Sequence, residues 1–267
     1  MHVGVFDSGV GGLSILSSIT RALPWVRLSY CCDNLNFPYG TKSDEDVIRL
    51  SVDITSRYFA EAKFDVLVIA CNTASTIALA SVRAALPIPV VGVVPAVKPA
   101  AAASHTKVIG VLATPGTIRR PYLADLIREF AADCEVVTCG SSALVQLAER
   151  KLRGDIGTDD EFRHEIGEII AGCARGLDQL VLGCTHFPLI TEELRRVLPA
   201  GVQFVDSGEA VAARVAVIGQ ELKLPAKSRE PRFSPEITGY CSGESFELSA
   251  LGLNLGSAGI LRLRRLP

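Results

Sequence analysis

Val66-Leu-Val-Ile-Ala70 is an unbroken apolar run, rich in β-branched side chains and closed at once by Cys71-Asn72-Thr73. A strand without polar alternation must be covered on both faces, the condition of a parallel sheet flanked by helices. The alanine-rich stretch from Ser75 to Leu86 supplies such a helix directly afterwards. The Cys71 thiol therefore falls at the carboxyl end of a strand and just ahead of a helix amino terminus. Open α/β sheets bind ligands at such places, where free amides and the helix dipole favour anions. The same surroundings lower a cysteine pKa from its reference of about 8.5. Leu180-Val-Leu-Gly-Cys184-Thr-His186 repeats the arrangement further along. Two thiols in matched contexts suggest paired chemistry.

Strand and helix signals alternate along the whole chain, which predicts an α/β protein with mainly parallel sheets. Val3 to Phe6 is a strand leading into Asp7-Ser-Gly-Val-Gly-Gly12 and a helix up to Pro24; Leu28 to Cys32 is the next strand. Val47, Leu50, Ile54 and Tyr58, at helical spacing, mark one face of a helix. The alanine-rich segment from Pro95 to Ser104 reads as the crossing into a second domain, because Val108 to Ala113 restarts the pattern there. Thr114-Pro-Gly-Thr117 then takes the place that Asp7-Ser8-Gly9 held. Residues 135–139 are a strand, 142–152 and 159–174 helices, and the Cys184 strand follows. A second Asp-Ser-Gly at 206–208 reads as a helix cap, and the arginine-rich tail from Leu261 as a solvated end. The expected organisation is two similar open α/β domains: residues 1–96 plus 208–267 form the first, discontinuous one, and residues 97–207 the second.

Composition narrows the function classes. With 267 residues, 48% hydrophobic content and a net charge of −2, the chain has no electrostatic bias toward nucleic acid. Asp7 interrupts the only early apolar run, so no signal peptide is read there, and no stretch approaches a membrane span. A cytoplasmic location is expected. The eight cysteines, at 31, 32, 71, 134, 139, 173, 184 and 241, include no C-x-x-C pair, so neither a zinc site nor a disulfide framework is expected. Asp7-Ser-Gly-Val-Gly-Gly12 invites a dinucleotide-loop reading, but Ser14 stands at the third glycine position and Asp7 would set a carboxylate beside a pyrophosphate. Asp7 fits better as a carboxylate at the mouth of a site, in hydrogen bonding or acid/base work.

Taken together, Asp7-Ser-Gly-Val-Gly-Gly-Leu13, Phe37-Pro-Tyr-Gly40, Cys71-Asn-Thr-Ala-Ser75, the Ala113-Thr114 and Thr117 block, and Leu182-Gly-Cys-Thr-His186 with Pro188 resemble the signature blocks of bacterial glutamate racemases. They occur in that family's order over residues 1 to 210; the two cysteine blocks are specific as a pair. The resemblance implies an active site in the cleft between the domains, with Cys71 and Cys184 as opposed bases on either side of a substrate α-carbon. It also implies substrate contacts from Asp7, Ser8, Tyr39, Gly40, Asn72, Thr73, Thr114, Thr117, Thr185 and His186. Glu149 matches the acidic residue that the family carries on a helix of the second domain, where it polarises His186 or meets the substrate ammonium. The implied activity is cofactor-independent interconversion of L- and D-glutamate, without a metal or pyridoxal phosphate, supplying peptidoglycan precursors. The implied partner is the small-molecule substrate; no nucleic acid or membrane is implied, and a homodimer is one assembly found in the family. A sister racemase acting on aspartate or another acidic amino acid, and a non-catalytic amino-acid-binding regulator, stay open as alternatives at this point.

Chemistry supports the same constellation. An α-proton beside a carboxylate is very weakly acidic, so an enzyme without an electron sink must stabilise the carbanion through hydrogen bonds and placed charge. Inversion needs one group to take the proton on one face and another to deliver it on the other.

Overall fold

The computed structural model describes residues 1–152, 154–223, 237–249 and 260–267. The chain divides into two compact units, Met1–Val93 with Gly208–Pro267, and Val94–Ser207.

In the first unit the strands are β1 (His2–Asp7), β2 (Arg27–Cys32), β3 (Val66–Ile69), β4 (Val90–Gly92), β9 (Thr238–Cys241), β10 (Phe246–Ser249) and β11 (Ile260–Arg265). They form one sheet in the order β10-β11-β9-β2-β1-β3-β4, parallel except for the β10–β11 pair. Every residue of β1 and β3 is buried, as the unbroken apolar run at 66–70 requires. The helices are α1 (Leu13–Ala22), α2 (Asp44–Ala62), α3 (Asn72–Ala85) and α11 (Gly208–Glu221). Ser43 caps α2 by accepting from the Asp46 amide, and Asp44, Glu45 and Asp46 in the first turn complement the dipole. The inner faces of α2 and α3 enclose a core with Phe6, Leu67, Ile69 and Tyr58, while α11 packs against α1.

The second unit contains β5 (Val108–Ala113), β6 (Glu135–Gly140), β7 (Gln179–Leu182) and β8 (Gln203–Val205), all parallel and ordered β6-β5-β7-β8. Its helices are α4 (Val97–Ala103), α5 (Pro115–Ile118), α6 (Pro121–Phe130), α7 (Ala143–Lys151), α8 (Asp159–Glu165), α9 (Gly167–Cys173) and α10 (Thr191–Val197). One helix is expected over 159–174, but two are found. Ile166 leaves the helical conformation (φ −117°, ψ 27°) next to Gly167, a poor helix former.

The two units share a topology. Numbered within its own unit, each sheet runs second-first-third-fourth: β2-β1-β3-β4 and β6-β5-β7-β8. Backbone bonds fix the correspondence: Ala70 N–H donates to Phe6 C=O and Gly183 N–H to Leu112 C=O, both at 2.7 Å. Cys71 and Cys184 therefore follow the third strand at the same register. The same match corrects one expectation by a residue. Thr114 corresponds to Ser8, and the counterpart of Asp7 is Ala113.

The tail is also corrected. It is a sheet strand rather than a solvated end: β11 lies between β9 and β10, with Leu263 and Leu266 buried and Arg57 donating to the Leu266 and Pro267 carbonyls. The alternation of leucine and arginine from 261 to 264 fits a strand with one covered face. After α11 a strand and a helix are expected. The described residues there are strands, and residues 224–236 and 250–259 lie outside them.

Candidate active site

Each unit gathers its functional side chains at the carboxyl ends of its strands. In the first, Asp7 ends β1, is fully buried, and accepts from the Gly9 amide at 2.9 Å. Ser8 follows, with its hydroxyl 3.4 Å from Asp7 Oδ1 and 3.5 Å from Cys71 Sγ. Cys71 is the amino-terminal cap of α3, its sulfur accepting from the Ala74 amide at 3.5 Å. A thiol, a hydroxyl and a carboxylate thus stand in a row beside the free end of a helix. Gly12 allows this approach: a Cβ there would lie 2.7 Å from Asp7 Cβ and 3.1 Å from Ala70 Cβ.

Asn72 opens α3, is buried, and its Oδ1 has no hydrogen-bond partner among the described residues. An unpaired buried carbonyl is costly, and a ligand N–H would relieve it. Thr73, next on the helix, is half-buried. Tyr39 begins a short 3-10 turn (Tyr39–Thr41) and is buried, whereas Gly40 is half-buried. The Tyr39 hydroxyl donates to Asp33 Oδ2 at 2.7 Å, so its proton is already committed inside the protein. Asp33, buried just beyond β2, also accepts from Asn36 and from Ser242, which follows β9. Sequence reasoning assigned Asp33 no part in this cluster. Its position after a strand end, before a polar loop, was the available signal.

In the second unit Cys184 and Thr185 are buried just after β7, and the Cys184 sulfur is 3.8 Å from His186 Nδ1. His186 Nε2 is 2.9 Å from Glu149 Oε1 on α7. Burial disfavours the His186 cation, but its hydrogen bonds to Cys184 and Glu149 outweigh that and push its pKa up to about 10. At neutral pH the imidazolium then offers one N–H to the sulfur and the other to the carboxylate. Thr114 caps α5, and its hydroxyl is 3.0 Å from that of Thr117. The structure thus brings Asp7, Ser8 and Cys71 together in one unit, and Cys184, His186 and Glu149 in the other. No group of three or more His, Cys, Asp or Glu among the described residues is arranged to hold a metal ion. No helix among them is long and apolar enough to cross a membrane.

Two matched α/β units, each presenting a thiol after its third strand, agree with what comparison with known proteins finds. Residues 4–215 match the Asp/Glu/Hydantoin racemase family model, and the chain belongs to that family of amino-acid racemases, which are isomerases. Relatives 43–48% identical to this chain are glutamate racemases. The Shewanella loihica glutamate racemase is 46% identical over 260 residues, covering 96% of this chain and 95% of the relative. The crystal structure of Escherichia coli glutamate racemase with L-glutamate and the activator UDP-MurNAc-Ala superposes with a TM-score of 0.82 at 40% identity, covering 91% and 89% of the two chains. That of the Francisella tularensis enzyme with D-glutamate gives 0.70 at 28% identity, covering 90% and 88%.

Proposed function

We propose that the protein interconverts L- and D-glutamate without a cofactor, with Cys71 and Cys184 as the two bases. The observation that carries this reading is the register match that puts one thiol after the third strand of each unit. The glutamate bound in two of the similar structures supports the choice of substrate.

In this mechanism one cysteine, as thiolate, takes the α-proton from one face while the other, as thiol, delivers a proton to the opposite face. Glutamate loses its α C–H bond, carries the electron pair as a carbanion, and regains a C–H bond on the other side. At the end the two cysteines have exchanged protonation states. Asn72 Oδ1 accepts from the substrate ammonium, and Asp7 and Ser8 line the same side. The amides and hydroxyls of Thr73, Thr114, Thr117 and Thr185 hold carboxylate oxygens at strand and helix ends. Tyr39 and Gly40 contribute through their backbone, since the Tyr39 hydroxyl is engaged by Asp33. His186, oriented by Glu149, keeps a proton beside Cys184. The product would serve peptidoglycan synthesis from the cytoplasm.

Racemisation in heavy water tests the two-base reading. Early in the reaction, solvent deuterium is expected in the newly formed enantiomer and hardly in the unreacted one. Return of the original proton to the product would point to a single base and overturn the reading.

A further inference from the structure

The strand ends explain how Cys184 is placed, but His186 depends on Glu149, which comes from a different element. Helix α7 must therefore be held at a defined depth and rotation against the segment that follows Cys184. Its start is tied by Ser141, whose hydroxyl accepts from the Leu144 amide at 3.0 Å and donates to Glu165 at 2.6 Å. Its end carries a second tie. Lys151 Nζ lies 2.9 Å from Glu193 Oε2 and donates to the Leu189 carbonyl at 2.9 Å. The Glu193 side chain is 2% exposed and that of Lys151 15%.

We propose that Lys151 and Glu193 are a positioning pair that fixes α7 against residues 186–193, so that Glu149 meets His186 beside Cys184. The inference rests on the reading of Cys184 as a base.

Three observations support it. One ammonium reaches both Leu189, in the 3-10 turn Phe187–Ile190 that directly follows His186, and Glu193 on α10. Residues two apart on a helix project about 200° apart, so Glu149 and Lys151 grip the same segment from nearly opposite sides of α7. A rotation of the helix that drew one contact closer would pull the other away. Finally, a buried ion pair adds little stability over apolar residues of the same size, because desolvation offsets attraction. Stability alone is therefore a weak reason for a lysine and a glutamate here, whereas orientation of a nearby functional group is a sufficient one.

The test compares K151M and E193Q with the native protein. Glutamate kcat and KM are measured, and iodoacetamide labelling of Cys184 and Cys71 is followed separately by peptide mass spectrometry. Cys71 belongs to the other unit and serves as the internal reference. We expect kcat to fall roughly 10- to 100-fold, as displacements approaching 1 Å do, with KM within about threefold. The Cys184 labelling rate should change while that of Cys71 stays at the native value, and K151R should recover part of kcat. A lower melting temperature with unchanged kcat and an unchanged labelling ratio would make the pair merely structural and overturn the proposal. Equal changes at both thiols would do the same. Should K151M not fold, E193Q, which keeps size and an acceptor, carries the comparison; failure of both to fold also overturns it. The underlying mechanism fails separately, if C184S retains full racemase activity.

Discussion

Asp7 and Ala113 end the first strands of the two sheets at the same register, and only Asp7 carries an acid. Each carbonyl accepts at 3.0 Å from the amide just beyond the second strand, Asp33 in one case and Ser141 in the other. The repeat thus holds in the backbone at these strand ends and is broken in chemistry. Cys71 has a hydroxyl and a carboxylate in line behind it; Cys184 has an imidazole backed by a carboxylate from a helix. The two proton transfers therefore need not have equal barriers, although the enantiomers they connect have equal free energy in water.

That equality constrains the cysteine variants. Replacing either cysteine by serine should lower kcat/KM by roughly 100- to 10,000-fold, the usual worth of general acid–base catalysis. The loss must be the same from either enantiomer, because the ratio of the two efficiencies equals an equilibrium constant of unity. Polarimetric initial rates from L- and D-glutamate check this, and full activity in either folded variant would refute the two-thiol mechanism.

Asn72→Leu separates function from stability. Its Oδ1 has no partner to lose among the described residues, so the melting temperature should hold or rise. Affinity should suffer instead, with the glutamate KM up roughly 10- to 100-fold, the worth of a hydrogen bond to a charged group. Calorimetry and steady-state kinetics on the same preparation would show the split; a large loss of stability with KM unchanged would mean that Asn72 is structural.

Tyr39→Phe should behave in the opposite way. Removing the hydroxyl takes a donor from the buried Asp33 carboxylate, at a cost of about 1–3 kcal/mol. The hydroxyl proton does not point to substrate in this arrangement, so kcat/KM should stay within about threefold. Urea unfolding measures the first effect. A hundredfold loss of efficiency with full stability would return the hydroxyl to the substrate.

The His186 cluster gives a pH dependence with a definite sign. A histidine whose folded pKa is raised from 6.5 to about 10 contributes stability that is fully present below pH 6.5. That contribution is lost as the pH rises through about 10. His186→Asn should therefore flatten the alkaline side of the stability profile, as measured by denaturant midpoints from pH 6 to 10. Identical alkaline slopes in the two proteins would argue against the raised pKa.

The α/β class was legible because strands such as 66–70 are short, apolar and followed by helices, a signal carried by local composition. The strand before Cys71 and the one before Cys184 could be matched for the same reason. The one-residue offset of Thr114 could not be seen, since register is set by hydrogen bonds between strands far apart in sequence. The tail was misread because Leu263 alternates with arginines, and only pairing with β9 and β10 reveals which face is covered. The contacts of Asp33 and the Lys151–Glu193 pair could not be read for a related reason. Their partners lie at 39 and 242, and at 189 and 193, where no pattern of spacing links them.

The placement of β9 and β11 also orders the events of synthesis. All four strands of the second unit lie within residues 94–207, so a growing chain carries everything this sheet needs once that stretch has emerged. The first unit begins earlier yet must wait longer. Residues 29–32 pair with 238–241, of which 239–241 in turn pair with 263–265. Closing so large a loop is slow, and until then the outer edge of β2 presents unpaired backbone. The half of the molecule made first is thus completed last, and the nascent chain is most open to wrong pairing or chaperone capture during that interval.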